Sequence, residues 1–163
     1  MAAGVTNIKD LANSLDLPET KKKVDNDDLL GPEISVMSGF IDFAGPFAGP
    51  TGKIVKTLEE GLEGVRYYAS HGYDQVKLYS SIPPDWVKPL AAEAHKLGLK
   101  VCGHVPSYMT AERAVNDGYD QIIHLQASFF GRRTGVYRRN QSTAFNTGSV
   151  SFVDQGRSRE FAA

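Results

Sequence analysis

YDQVKLYSSIPPDWVKPLAAEAHKLGLKVCGHVP, residues 73–106, decides the fold. QVKLY is a short apolar run and reads as a strand. The turn IPPDW then opens a helix, DWVKPLAAEAHKLGL, which stops at Gly98, and LKVCGHVP reads as the next strand. Strand, helix and strand in that order make a βα repeat, whose neighbouring strands run parallel. Each strand carries one metal-competent residue toward its far end, Lys77 in the first and His104 in the second. A third apolar run, QIIHL, does the same with His124. The three residues stand 27 and 20 positions apart, near the roughly 30 residues per unit of an eight-fold barrel. Successive parallel strands would bring them to one rim, and in such barrels the C-terminal rim holds the chemistry.

The alternation extends outward from this stretch. Toward the amino end, GVTNIKDL (4–11) reads as a strand and its exit, and EISVMSGFID (33–42) as a second strand after the Gly31-Pro32 punctuation. The loop FAGPFAGPTG (43–52) has two AGP triplets that force turns and is long enough for a rim loop. Over 57–71 the pattern predicts a helix, with Thr57 and Glu60 as a capping box and Leu58, Leu62, Val65 and Ala69 at helical spacing. Toward the carboxyl end, Thr110 caps TAERAVNDG, which delivers the chain to QIIHL. The expected fold class is α/β, a partial TIM-type (β/α) barrel of alternating parallel strands and helices.

Length and composition bound that expectation. With 163 residues and 41% hydrophobic content the chain can bury one core of ordinary size, whereas a closed eight-unit barrel takes about 250 residues. The single Cys102 excludes a disulfide framework, and MAAGVTNIKDL has neither the basic start nor the apolar stretch of a signal peptide, so a reducing, cytoplasmic setting is expected. No apolar run approaches the ~18 residues of a membrane span. A formal charge of −1 gives no global pull toward nucleic acid or anionic lipid.

The charge is unevenly spread. Residues 1–130 hold twelve basic against seventeen acidic residues, including all ten lysines, while 131–163 hold six arginines against Asp154 and Glu160 and contain no Lys, Leu, Ile or Pro. Two regions are therefore expected: a barrel-like domain over 1–130 and an Arg-rich tail over 131–163, poorly ordered or used in assembly.

The stretch from Gly4 to Phe130 resembles the amidohydrolase superfamily, specifically its imidazolonepropionase-like and prolidase-like members. GVTNIKDL is similar to that family's second strand, ISVMSGFID with GPFAGPTG to its third strand and loop, and VKLYSSI, AEAHKLGLKVCGHVP and DQIIHL to its fourth, fifth and sixth. The resemblance implies a metal-dependent hydrolase of amide, peptide-like or ester bonds in small molecules, acting through metal-activated water. It also implies a divalent metal, zinc or a similar ion, held by Lys77, His104 and His124. An ammonium has three donors and no acceptor, so Lys77 would ligate only after reaction with carbon dioxide turned it into a carbamate. Tyr79, which follows the lysine, is a candidate substrate contact.

The departures matter equally. The family's first-strand His-x-His pair is missing, since the only histidines are His71, His95, His104 and His124, and nothing after Phe130 resembles the seventh and eighth strands with their terminal aspartate. Asp154 lacks a strand-end setting to replace it. The chain is therefore expected to be a fragment lacking the first and last barrel strands, its tail arising from a shifted reading frame. Open strand edges would favour self-association into a homo-oligomer. His71 and His95 lie on amphipathic helices and read as solvent-facing, and Cys102 as a packing residue. Two further readings stand beside the hydrolase: a non-catalytic, self-assembling remnant of the barrel, and polyanion binding by the Arg-rich tail, which has no recognisable module.

Overall fold

The computed structural model describes residues 3–11, 16–46, 48–49 and 51–124; the boundary near Gly131, the Arg-rich tail and Asp154 lie outside them. The elements run β1 (Asn7–Asp10), α1 (Leu17–Asp25), β2 (Glu33–Phe43), β3 (Lys53–Val55), α2 (Leu58–Ser70), β4 (Gln75–Leu78), α3 (Pro84–Lys96), β5 (Lys100–Gly103), α4 (Ala111–Asn116) and β6 (Gln121–Ile122).

Local chemistry sets the helix boundaries. Thr57 Oγ1 accepts the Glu60 N–H at 3.2 Å, while Glu60 Oε2 reaches back to the Lys56 N–H at 2.6 Å, one residue before the usual capping-box donor. Thr110 Oγ1 accepts from the Arg113 N–H at 3.1 Å in the same way. The three glycines between helix and strand, Gly72, Gly98 and Gly118, all take positive φ, at 76°, 80° and 111°. Only glycine enters that conformation without strain, and it lets the chain reverse onto the sheet within about two residues.

All strand pairs are parallel, in the order β1-β2-β4-β5-β6, with β3 also paired to β2. Ile41 sits between Lys53 of β3 and Leu78 of β4. The result is a curled, half-barrel sheet with its connecting helices on one side, a partial barrel as the strand–helix alternation predicts. Two elements, α1 and β3, go beyond the sequence reading.

The helix-side face is apolar. Ile41, Val76, Leu78 and Val101 are fully buried and share a core with Val65 and Tyr68 of α2 and Val87, Leu90, Ala91 and Ala94 of α3. Burying each large side chain contributes about 1.5–3 kcal/mol. Tyr68 lies flat over Gly39, where a Cβ would come within 2.1 Å of the ring, and donates its hydroxyl to the Phe40 carbonyl at 2.9 Å. A side chain at position 39 would push α2 off the sheet. Among the described residues no helix is long and apolar enough to cross a membrane.

Candidate metal centre

In a parallel sheet, residues in register share a face, so the pairings Phe40–Lys77, Lys77–Cys102 and Cys102–Gln121 form one row across four strands. That row lies on the face opposite the helices. Ser38 and Gln75 form the row beside it, joined by a 2.6 Å hydrogen bond from Gln75 Nε2 to Ser38 Oγ. Lys9 of β1 reaches across the interior to hydrogen-bond Gln121 Oε1 of β6. The inside of the curl is thus lined with polar and ionisable groups.

Lys77 is only 4% exposed. Its Nζ lies 5.8 Å from the Phe40 ring centre and 5.4 Å from that of Tyr79, and among the described residues it forms no ion pair. Burial lowers its pKa, because water no longer stabilises the ammonium and two aromatic faces replace it only in part. The free amine, the form that reacts with carbon dioxide, becomes easier to reach. Cys102, beside it in register, is fully buried and its thiol is pushed up to about 12, chiefly by burial. It is an inert packing group, as its place in the strand suggests.

His104 follows β5 directly, and Gly103 sets its position. At φ 145° a Cβ on Gly103 would fall 1.9 Å from the Leu78 carbonyl oxygen, so β5 turns in against β4 at a point no side chain tolerates. The His104 N–H then donates to Leu78 O at 3.1 Å, and Tyr119 Oη donates to His104 O at 2.8 Å. Ser80 Oγ lies 3.0 Å from Nδ1 of the imidazole, while Nε2 is buried with no hydrogen-bond partner among the described residues. Burial, then the charge of Lys77, then His124 push the His104 pKa down to about 3. The ring is neutral across the physiological range and offers a lone pair.

His124 stands two residues beyond β6 with φ 65°. Its ring meets that of His104 edge to face, centres 4.8 Å apart at 82°. Its pKa is also lowered, by burial first and Lys77 second. Tyr79 wedges into the group, 4.1 Å from the His104 ring and 5.0 Å from Phe40. Lys77, His104, His124 and Tyr79 therefore converge. His71 and His95 do not: both are exposed on their helices, His71 stacked on Tyr67 and His95 bonded to Asp120 at 2.9 Å.

The donor set fits a metal in a specific sense. One imidazole has a nitrogen fixed by a serine and the other buried without a partner, the pattern of an oriented ligand. Among the described residues no three His, Cys, Asp or Glu side chains are grouped to hold an ion; Lys77 would add a donor to the two imidazoles only in a carboxylated form.

Asp42, at the end of β2, is a site residue the sequence reading missed. Fully buried, it accepts N–H groups from Phe43 and Ser81 on Oδ1, both at 2.9 Å, and from Gly49 on Oδ2 at 3.0 Å. One carboxylate thereby fastens the loops after β2 and β4, including the peptide that carries Ser80. Burial outweighs these bonds and raises its pKa to about 6.

No protein-family model matches the chain, and neither does any curated protein. Several solved chains resemble it, among them two hydrolase-type structures. Bottromycin amidohydrolase aligns with TM-score 0.64 and 22% identity, over 75% of this chain and 27% of its own. A protein of Bifidobacterium longum assigned as a prolidase aligns with TM-score 0.60 and 22% identity, over 74% of this chain and 32% of its own. The chain thus spans about a third or less of either structure, and the likeness is one of fold.

Proposed function

We propose that the strand-end cluster is part of the site of a metal-dependent hydrolase that cleaves amide, peptide-like or ester bonds in small molecules in a reducing, cytoplasmic setting. The observation that carries this reading is the His104 ring, neutral, held at Nδ1 and unpartnered at a buried Nε2, beside His124 and a buried lysine. His104 and His124 would hold a zinc-like ion through nitrogen. Lys77 would join them once its free amine had added carbon dioxide, forming an N–C bond, releasing one proton and leaving a carbamate. When bound, the ion supplies Lewis acidity and a water of lowered pKa. The chain's own residues do the rest: Ser80 holds the imidazole, Asp42 holds the Ser80–Ser81 peptide, and Tyr79 closes one side against solvent. The only buried carboxylate among the described residues is already occupied by backbone donors, so rapid turnover would need a base from outside them.

The test is metal content by elemental analysis on protein purified without chelator, with hydrolysis of dipeptides and aryl esters followed in parallel. About one ion per chain, lost in His104→Ala, and a carbamate carbon signal from Lys77 under labelled carbon dioxide support the reading. A well-folded chain that takes up no metal sinks it.

A second reading has its own observation. β1 and β6 each have one strand neighbour, leaving open edges among the described residues. A non-catalytic homo-oligomer that buries these edges would keep its mass in light scattering after chelation and in Lys77→Ala.

A further inference from the structure

We infer that a small cavity at the strand-end rim is the pocket for a compact apolar side chain of the substrate, an inference that rests on the hydrolase reading. The cavity, about 180 Å³, is formed by the loops after β2, β4 and β5, with Phe43, Pro46, Ile82, Pro83, Ser107 and Tyr108 in its walls. That volume suits a compact group such as a leucyl or phenylalanyl side chain. Prolines and aromatics make the walls stiff and apolar, the composition of a preformed pocket.

Two further observations single out this cavity. Tyr108 is a non-glycine residue with φ 67°, and its ring is 83% exposed. Buried packing does not hold it there, and strain of this kind concentrates at ligand clamps. Ser107 beside it is 8% exposed, and its Oγ is buried without a partner among the described residues. The wall thus contains one polar group whose bonding is left open.

The cavity is tied to the proposed centre by a short chain of bonds. The Ser107 N–H donates to the Ser80 carbonyl at 2.9 Å, and Ser80 Oγ is the partner of His104. The Ser81 N–H, in the cavity wall, is held by Asp42. A substrate seated by its side chain here would be positioned by the same serine pair that orients the imidazole. Another hollow, about 440 Å³ between β3 and α2, shares no residue with the cluster.

The chain carries its own reporter. Trp86 is its only tryptophan, and it packs edge-on to Phe43 of the cavity wall, ring centres 5.4 Å apart. Metal-free full-length chain would be titrated with N-acetyl-leucinamide, N-acetyl-phenylalaninamide and N-acetyl-glycinamide while Trp86 fluorescence is followed. The expected result is at least tenfold tighter binding of the first two. Tyr108→Gly should weaken them at least fivefold with an unchanged or higher melting temperature, because glycine accepts φ 67° freely. Equal affinity for all three probes, or unaltered binding in Tyr108→Gly, overturns the pocket. A parallel hydrolysis assay on metal-loaded chain separates the two ideas. Selective binding by a folded chain that takes up no metal removes the hydrolase reading and leaves the pocket; turnover indifferent to the side chain does the reverse.

Discussion

The two faces of one sheet do opposite work. On the helix side, Ile41, Val76, Leu78 and Val101 are apolar and fully buried. On the other, Ser38, Asp42, Gln75, Lys77 and Cys102 are buried too, with Phe40 among them, and all but the phenylalanine are polar or ionisable. Lys77 stands between Val76 and Leu78, so consecutive residues of a four-residue strand belong to different regimes. Equal burial stabilises on one side and strains on the other, because water is lost by a methyl group at a gain and by an ammonium at a cost.

Substitutions can break that contrast. The largest effect should come from the apolar side: Leu90→Ala should lose about 2–5 kcal/mol in denaturant unfolding, with metal uptake per folded chain unchanged. Asp42→Ala comes next. It leaves the Gly49 and Ser81 N–H groups without their acceptor, at about 1–3 kcal/mol for a donor that stays buried. Freed loops should then show as faster amide exchange at 49 and 81. Lys77→Met should change sign and stabilise the metal-free chain, by about 1–2 kcal/mol, since a buried charge with no ion pair among the described residues, and only the field of Asp10 to offset its burial, is replaced by an apolar chain of similar length; metal uptake should vanish. A loss of stability in this variant would mean that the inner face is ordinary core.

The smallest effect concerns pH. The folded pKa of His104, about 3, lies below the ordinary 6.5, so its neutral burial stabilises the fold fully above pH 6.5 and progressively less as pH falls toward 3. Between pH 7.5 and 5.5 the metal-free chain should lose about 1 kcal/mol through this residue, and His104→Gln should flatten that part of the profile. Asp42 opposes it: its pKa is raised, so protonation near pH 6 favours the fold as pH falls. A profile unaltered by His104→Gln would mean the ring is solvated in the folded chain.

Much of this architecture is legible in the chain because its signals are local. The caps at Thr57 and Thr110, the glycines after α2, α3 and α4 and the apolar runs around Lys77 and His104 act over a few residues each. Other features depend on distant partners. Helix α1 buries only Leu17, so its sequence has no apolar stripe; its signals are Pro18 in the first turn and the Lys21–Asp25 pair at 2.8 Å. Strand β3 is three residues long, too short for alternation to register. Asp42 reads as a polar strand end until the loops from 49 and 81 close on it. That Cys102 shares the face of Lys77 follows from the β4–β5 register, which no local pattern encodes. Likewise, nothing in SYMT announces that Tyr108 takes a left-handed conformation.

The hydrogen bond from Lys9 to Gln121 joins groups 112 positions apart. Loop closure over so long a span comes at the end of folding, after the shorter contacts have formed. At typical synthesis rates β1 leaves the ribosome roughly ten seconds before β6 exists. Lys77 emerges past the middle of that interval and stands without β6 only for the 44 positions up to Gln121, roughly a few seconds at such rates. The order of translation thus leaves the inner lysine without the sixth strand, and without the Lys9–Gln121 bond, for the last part of synthesis.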